Sequence, residues 1–244
     1  MRIRKSQSRP LGFLIAASAL LGGISLVLSI APAQAQNQSQ TPSQTPSQTI
    51  FEEQGSLQPM QHEHTFSGTK GQSVTISMIS AEFDTFLALI DPDGQELAIN
   101  DDYARSLNST IVVTLPKDGT YKIVARSFSG QGGNYTVTVN PATEYDQAYS
   151  RGVNAYIEGD VGEAIEALSE AIEIDPDQPV TYLDRGDLYY EQGEIDAVIA
   201  DYQKAADLYE EAGDMTTAQM LREQITYIQE GPDEPQETES ESEN

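Results

Sequence analysis

The chain of 244 residues contains no cysteine, which excludes disulfides, thiolate metal sites and lipid attachment through a thiol. Histidine is nearly absent too, with only His62 and His64. These two flank Glu63, and in a strand both imidazoles point to one face. Two ligands do not make a zinc centre, so the expected reading is a loosely exposed pair at a strand entrance. No other histidine could act as the base of a Ser-His-Asp triad. Walker loops, dinucleotide fingerprints and His-Glu-x-x-His are missing as well. The thirty-nine acids offer many carboxylate pairs, yet nothing singles one out for catalysis. A non-catalytic protein is expected.

Basic residues are the next scarcity. Thirteen Lys and Arg face thirty-nine Asp and Glu, for a formal net charge of −26. Four of the thirteen (Arg2, Arg4, Lys5 and Arg9) stand at the head of an apolar run, Leu11 to Ile30, followed by Ala33-Gln34-Ala35. Basic head, apolar stretch and small-x-small site together read as a secretory signal peptide over 1–35. Retained instead of cleaved, the same run is long enough to anchor the chain in a membrane. Without the leader, nine basic residues remain and the net charge becomes −30. Such a surface repels a phosphate backbone, so nucleic acid is excluded as a partner. An anionic membrane surface is disfavoured for the same reason. The acidity itself is explained by solubility outside the cytoplasm.

Residues 36–49 are Gln, Ser, Thr and Pro apart from one Asn, and read as a flexible linker. Residues 230–244 carry seven acids and two prolines without an aromatic, and read as a disordered acidic tail. Between 50 and 140 apolar residues alternate with polar ones: Val74, Ile76 and Met78; Ile111, Val113 and Leu115; Tyr121, Ile123 and Ala125; Tyr135, Val137 and Val139. This is the mark of strands with one buried face. Phe86 to Ile90 is apolar throughout and fits a central strand. Turns are expected at Asp93-Gly94, Asp118-Gly119 and Gly132-Gly133-Asn134. Six to eight short strands in this span predict an all-β sandwich or jelly roll.

The stretch resembles the bacterial pre-peptidase C-terminal domain family. The likeness rests on Phe66-Ser67-Gly68, Gly71-Gln72-Ser73-Val74, Phe83-Asp84-Thr85-Phe86-Leu87, Asp91-Pro92-Asp93-Gly94, Asn100-Asp101-Asp102, Gly119-Thr120-Tyr121 and Gly133-Asn134-Tyr135. The resemblance implies an accessory module that aids secretion, localisation or adhesion to polymers, usually appended to secreted enzymes. No protease is attached in this sequence. Asp84, Asp91, Asp93, Asp101 and Asp102 fall in its expected loops, where exported β-sandwiches often hold calcium. The glycine of Asp91-Pro92-Asp93-Gly94 comes two positions too early for an EF-hand loop, and Asx-turns explain the same acids.

From Glu144 to Ala212 the chain repeats every 34 residues: Arg151-Gly152 recurs as Arg185-Gly186, Gly159 as Gly193, Ile165 as Ile199 and Ala171 as Ala205. Each copy reads as two amphipathic helices. The first pair is expected over Ala142 to Glu158 and Val161 to Ile174, the second between Pro179 and Glu211, with breaks at Gly159 and Gly193. Asp160 suits an N-cap with Glu163 completing a capping box, and Asp175-Pro176 ends the second helix. Gly152 and Ala164 fall where the backbones approach most closely. Met215 to Gln229 carries Ala218, Leu221, Ile225 and Ile228 as one stripe and reads as a capping helix for the array over 142–229. Tyr182-x2-Arg185-Gly186-x2-Tyr189 and Val198-x3-Tyr202 follow the pattern of a tetratricopeptide repeat, which the sequence resembles strongly.

That resemblance implies a protein partner held in a concave groove lined by the first helix of each repeat. Its groove positions become Asp146, Tyr149, Val153 and Tyr156 in the first copy, and Val180, Leu183, Asp187 and Tyr190 in the second. Family members that clamp an acidic C-terminal peptide place Lys and Asn where this chain has Tyr149 and Val153. The expected ligand is therefore an apolar or basic segment. Tyr149, Val153 and Leu183 could equally pack between neighbouring helices. The sequence as a whole predicts an exported multidomain scaffold, an all-β module followed by all-α tetratricopeptide hairpins. Binding to cell-wall polymer through the sandwich, or service as accessory to a secreted hydrolase, are the alternatives.

Overall fold

A computed structural model describes residues 49–57 and 61–230. The expected leader, nearly all of the linker and the acidic tail lie outside the described residues. Among the described residues eight strands are followed by five helices, and the chain divides into two compact units, Met1–Pro176 and Asp177–Asn244.

The first unit opens with two four-stranded antiparallel sheets. One has the order β1-β8-β3-β6, formed by Phe51–Leu57, Gly133–Pro141, Ser73–Ile79 and Ser109–Thr114. The other has the order β2-β7-β4-β5, formed by His62–Gly68, Gly119–Ser127, Thr85–Ile90 and Glu96–Asn100. The alternation read from sequence decides which face is buried. Val74, Ile76 and Met78 of β3, Tyr121, Ile123 and Ala125 of β7, and Tyr135, Val137 and Val139 of β8 all point into one core. Leu87 and Leu89 of β4 join them from an interior strand, as the apolar run at 86–90 implied. Each fully buried aliphatic of this kind contributes about 1.5–3 kcal/mol relative to exposure.

Two helices complete the unit. Helix α1, Glu144–Glu158, starts two residues later than expected, because Thr143 and Asp146 form the capping box. Thr143 Oγ1 accepts from Asp146 N–H at 3.0 Å, and Asp146 Oδ2 accepts from Thr143 N–H at 3.0 Å. Gly159, with φ of 87°, ends α1 in the left-handed conformation that suits glycine. Asp160 then caps α2, Val161–Ile174, by accepting from Glu163 N–H at 3.0 Å. A Cβ added to Gly152 would lie 2.8 Å from Leu168 Cγ and 3.3 Å from the Ala164 carbonyl, so the close approach read from sequence is real.

The second unit repeats this hairpin with α3, Pro179–Gln192, and α4, Ile195–Glu211. At the matching position a Cβ on Gly186 would lie 2.8 Å from the Tyr202 ring. Helix α5, Met215–Glu230, follows, and Asp214 caps it through Thr217 N–H at 3.0 Å and Thr217 Oγ1 at 2.7 Å. Ala218, Leu221 and Ile225 are its buried stripe. No helix among the described residues is long and apolar enough to cross a membrane.

Candidate docking surface

The helix α1 carries Asp146, Tyr149, Val153 and Tyr156 in the order that successive turns of a helix require. The structure assigns the first two to the sandwich. Asp146 Oδ2, besides closing the capping box, accepts from Thr75 Oγ1 of β3 at 2.9 Å. Tyr149 is only 1% exposed. Its ring stacks on Tyr145 at 5.8 Å and meets the edge of Tyr103 at 5.3 Å. Tyr103 is presented by a two-residue turn whose central Ala104 and Arg105 have φ of 51° and 58°. Left-handed conformation costs a residue with a Cβ about 1–2 kcal/mol, so this contact is made at the expense of backbone strain. Val153 and Tyr156, further along α1, are half-buried.

The matching residues of α3 divide in a different way. Leu183 is buried, and so is Asp187, whose Oδ1 accepts from the Tyr202 hydroxyl. Val180 is half-buried, and Tyr190 is 42% exposed. The eight positions therefore differ in exposure within each helix. Tyr149, Leu183 and Asp187 are interior, Asp146 is engaged in the cap, and Tyr190 is the most exposed of the set. Tyr149 is buried where its ring meets Tyr103 of the sandwich and Tyr145 of its own helix.

Arg185 on α3 reaches Asp201 on α4 through two bonds, Nε to Oδ2 at 2.8 Å and Nη2 to Oδ1 at 2.7 Å. Burial of Arg185 acts against its charge, but the Asp201 bonds outweigh it and hold the guanidinium above its usual range. The equivalent Arg151 of α1 pairs with Glu170 in the open. Sequence reading had aligned the two arginines without distinguishing their surroundings.

The five aspartates proposed for calcium are not brought together. Asp91 and Asp93 both pair with Lys117. Asp91 Oδ1 also accepts from Asp93 N–H at 2.8 Å and Gln95 N–H at 2.9 Å, the Asx-turn that sequence offered as the other explanation. The Gln95 bond, then Lys117, hold the Asp91 carboxyl below the usual carboxylate range. Asp84, Asp101 and Asp102 form a separate group. Desolvation, then the charge of Asp101, raises the carboxyls of Asp84 and Asp102. Asp84 Oδ1 and Asp102 Oδ1 are buried and accept no hydrogen bond among the described residues. No group of three or more His, Asp or Glu among the described residues is placed to hold a metal ion.

The histidines also differ from expectation. They do share one face of β2, but that face is the interior. His64 is 8% exposed and bonded at both ring nitrogens. Sequence missed this because its partners, Glu53 and Tyr135, come from strands 11 and 71 residues away.

Comparison with known proteins agrees with this geometry. The model of the bacterial pre-peptidase C-terminal domain matches residues 64–127. Two repeat models match over overlapping stretches, a TPR repeat at 155–193 and a tetratricopeptide repeat at 180–212. The chain carries a pre-peptidase C-terminal domain over 64–127 followed by tetratricopeptide repeats over 155–212. Both are non-catalytic module types, and the repeats suggest protein–protein interaction. Among solved structures, the chain is similar to the pre-peptidase C-terminal domain of a collagenase from Bacillus anthracis. The identity is 16% over 37% of this chain and 88% of that one, with a TM-score of 0.33. It is also similar to PliG of Aeromonas hydrophila, a periplasmic inhibitor of g-type lysozyme. There the identity is 15% over 42% of this chain and 93% of that one, with a TM-score of 0.34. A Bacillus licheniformis lipase in propeptide form matches at 17% identity over 47% of this chain and 26% of its own, with a TM-score of 0.30. No curated protein matches the chain.

Proposed function

We propose that the protein is an exported, non-catalytic adaptor whose helical repeats dock a basic or apolar segment of another protein. The observation that carries this reading is the pair of overlapping tetratricopeptide matches that together span 155–212. Charge names the class of ligand. Residues 142–229 hold twenty-one Asp and Glu against four Lys and Arg. Three of those four cations, Arg151, Arg185 and Arg222, are already paired to acids within the repeats. An acidic tail would be repelled, whereas a basic segment with apolar side chains would be attracted to the acids and to exposed Tyr190. Export rests on the basic-apolar-small pattern of residues 1–35 and on the accessory character of the N-terminal domain.

A crosslinking pull-down from the envelope fraction supplies the partner, and a binding titration then tests the assignment. Tyr156→Ala with Tyr190→Ala is expected to weaken that partner at least tenfold, about 1.4 kcal/mol, with helicity retained. Raising the salt concentration is expected to weaken it further, as screened attraction requires. Unchanged affinity in the folded double variant places the binding site elsewhere, on the opposite helix faces or the sandwich.

A further inference from the structure

Helix α5 has two apolar faces. Ala218, Leu221 and Ile225 are buried on one, and Arg222 fastens the helix to α4 through Asp207 at 3.3 Å and through Glu210. On the other side a second stripe, Thr217, Met220, Gln224 and Tyr227, recurs at intervals of three, four and three residues. Met220 is 52% and Tyr227 53% exposed, while Thr217 and Gln224 are half-buried. This spacing is that of a coiled-coil seam, which keeps four side chains in line along one face. No member of the stripe carries a charge.

Charge also decides what can cover it. Helices α1 to α4 carry three, four, three and five acids, whereas α5 carries two, Glu223 and Glu230. Glu230 is the last residue of the helix, and Glu223 borders the stripe. Its Oε1 is turned back along the helix and accepts from Gln219 Nε2 at 2.9 Å. A basic ligand drawn by acids finds the least attraction on this helix. A second copy of the chain meets the opposite situation. Two copies with a formal net charge of −26 each repel one another, and least where they meet through uncharged side chains. The sequence that follows supplies no cover of its own. Residues 231–244 contain no Ala, Val, Ile, Leu, Met, Phe, Tyr or Trp.

We propose that α5 pairs with α5 of a second copy, seam to seam and antiparallel, in a weak two-fold dimer. Six acids within residues 231–244 set the direction. Parallel pairing would start both sets at one end of the dimer. Antiparallel pairing starts them at opposite ends of a helix about 24 Å long, some three Debye lengths at physiological salt. Two-fold symmetry then sets Met220 against Gln224 of the second copy, and Thr217 against its Tyr227. The two Glu223 carboxylates approach each other beside the seam and oppose the pairing. Four seam residues a side are far fewer than the roughly 20–30 of a standard interface, so the dimer is weak.

Sedimentation equilibrium of the full chain, loaded from about 10 μM to about 1 mM, reads the pairing. The weight-average mass should rise with concentration from that of one chain toward that of two. Met220→Glu with Tyr227→Glu, both at exposed positions, should weaken association at least tenfold with helicity retained. Glu223→Gln should strengthen it severalfold. Raising the salt from about 0.05 M to about 0.5 M should strengthen it too, because screening removes repulsion between like charges. The basic segment proposed above for the repeats responds to salt with the opposite sign, so the two readings fail separately. The chain has no cysteine, so single thiols report the direction of pairing. A mixture of Thr217→Cys and Tyr227→Cys chains should form disulfide-linked dimers, and either alone should not. The mass of one chain throughout overturns the proposal, as does association that ignores the substitutions, through the apolar run at 11–30 for example. Ready crosslinking of each thiol variant alone overturns the antiparallel pairing. The unsubstituted protein and Glu223→Gln keep the test decisive even if the double variant loses helicity.

Discussion

Asp201 in the second helical repeat and Asp84 and Asp102 in the sandwich are all acids drawn away from water, but their surroundings differ. Asp201 receives both arms of Arg185 on its two oxygens. Asp84 and Asp102 each keep a buried oxygen that accepts nothing among the described residues, and each feels the charge of Asp101. A buried carboxylate with a fitted cation is held in place, and removing one partner strands the other. A carboxylate beside like charges is disfavoured in its ionised form, and removing its charge relieves the site. Burial alone therefore does not tell whether an acid stabilises a fold.

The largest effect expected from this contrast is at Asp201. Asp201→Ala leaves the Arg185 guanidinium partly buried without its counter-charge, and should cost about 3 kcal/mol in urea unfolding. Exchanging both residues for aliphatics of similar size should cost much less, since the buried charge goes with its partner. A loss below about 1 kcal/mol in Asp201→Ala would mean that Arg185 simply rehydrates. Tyr202→Phe ranks next. It deletes the hydroxyl that donates to buried Asp187, and a lost bond to a charged acceptor costs about 1.5–3 kcal/mol.

Asp84→Asn and Asp102→Asn are expected to act in the opposite direction and more weakly. Their carboxyls are raised, so the folded state holds these protons more tightly than the unfolded chain does. Stability should then increase as pH falls through the raised values, the gain being complete near the unfolded value of 3.8. Either substitution should raise the melting temperature at neutral pH and flatten this dependence. Calcium sharpens the comparison. A cation held by Asp84 and Asp102 would raise the melting temperature of the unsubstituted protein on titration, and Asp102→Asn would remove the gain. A fall in stability in both variants without calcium would break the contrast between the two regions.

Much of the fold was legible because it depends on period. Alternation named the buried faces of β3, β7 and β8, and the 34-residue offset placed Gly152 and Gly186 at matching close contacts. The candidate site was legible only in part, because burial there depends on a second module. Tyr149 sits at a groove position by register, yet Tyr103 comes from a loop 46 residues earlier and covers it. Local sequence at Tyr149 contains no trace of that contact. The same holds for His64, where a short polar strand gave no sign of Glu53 and Tyr135. The acids at 84–102 looked like one cluster because they are near in sequence. Lys117, from beyond the next strand, separates Asp91 and Asp93 from the rest.

The smallest effect tests whether equivalent positions in the two repeats carry equivalent energy. Arg151 and Arg185 occupy the same place in the 34-residue register, and each pairs with an acid on the second helix of its hairpin. Side-chain exposure is 49% and 53% for Arg151 and Glu170, against 18% and 7% for Arg185 and Asp201. In water the attraction is screened, and ordering two long side chains offsets most of what remains, so exposed pairs are worth about 0.2–1 kcal/mol. Glu170→Ala should therefore lie near the bottom of that range and vanish into error at high salt. The cost of Asp201→Ala should persist there, because its partner is shielded from ions. A double-mutant cycle for each pair, run at low and high salt, measures both coupling energies directly. Equal couplings would show that the repeat register, not local burial, sets the strength of the pair.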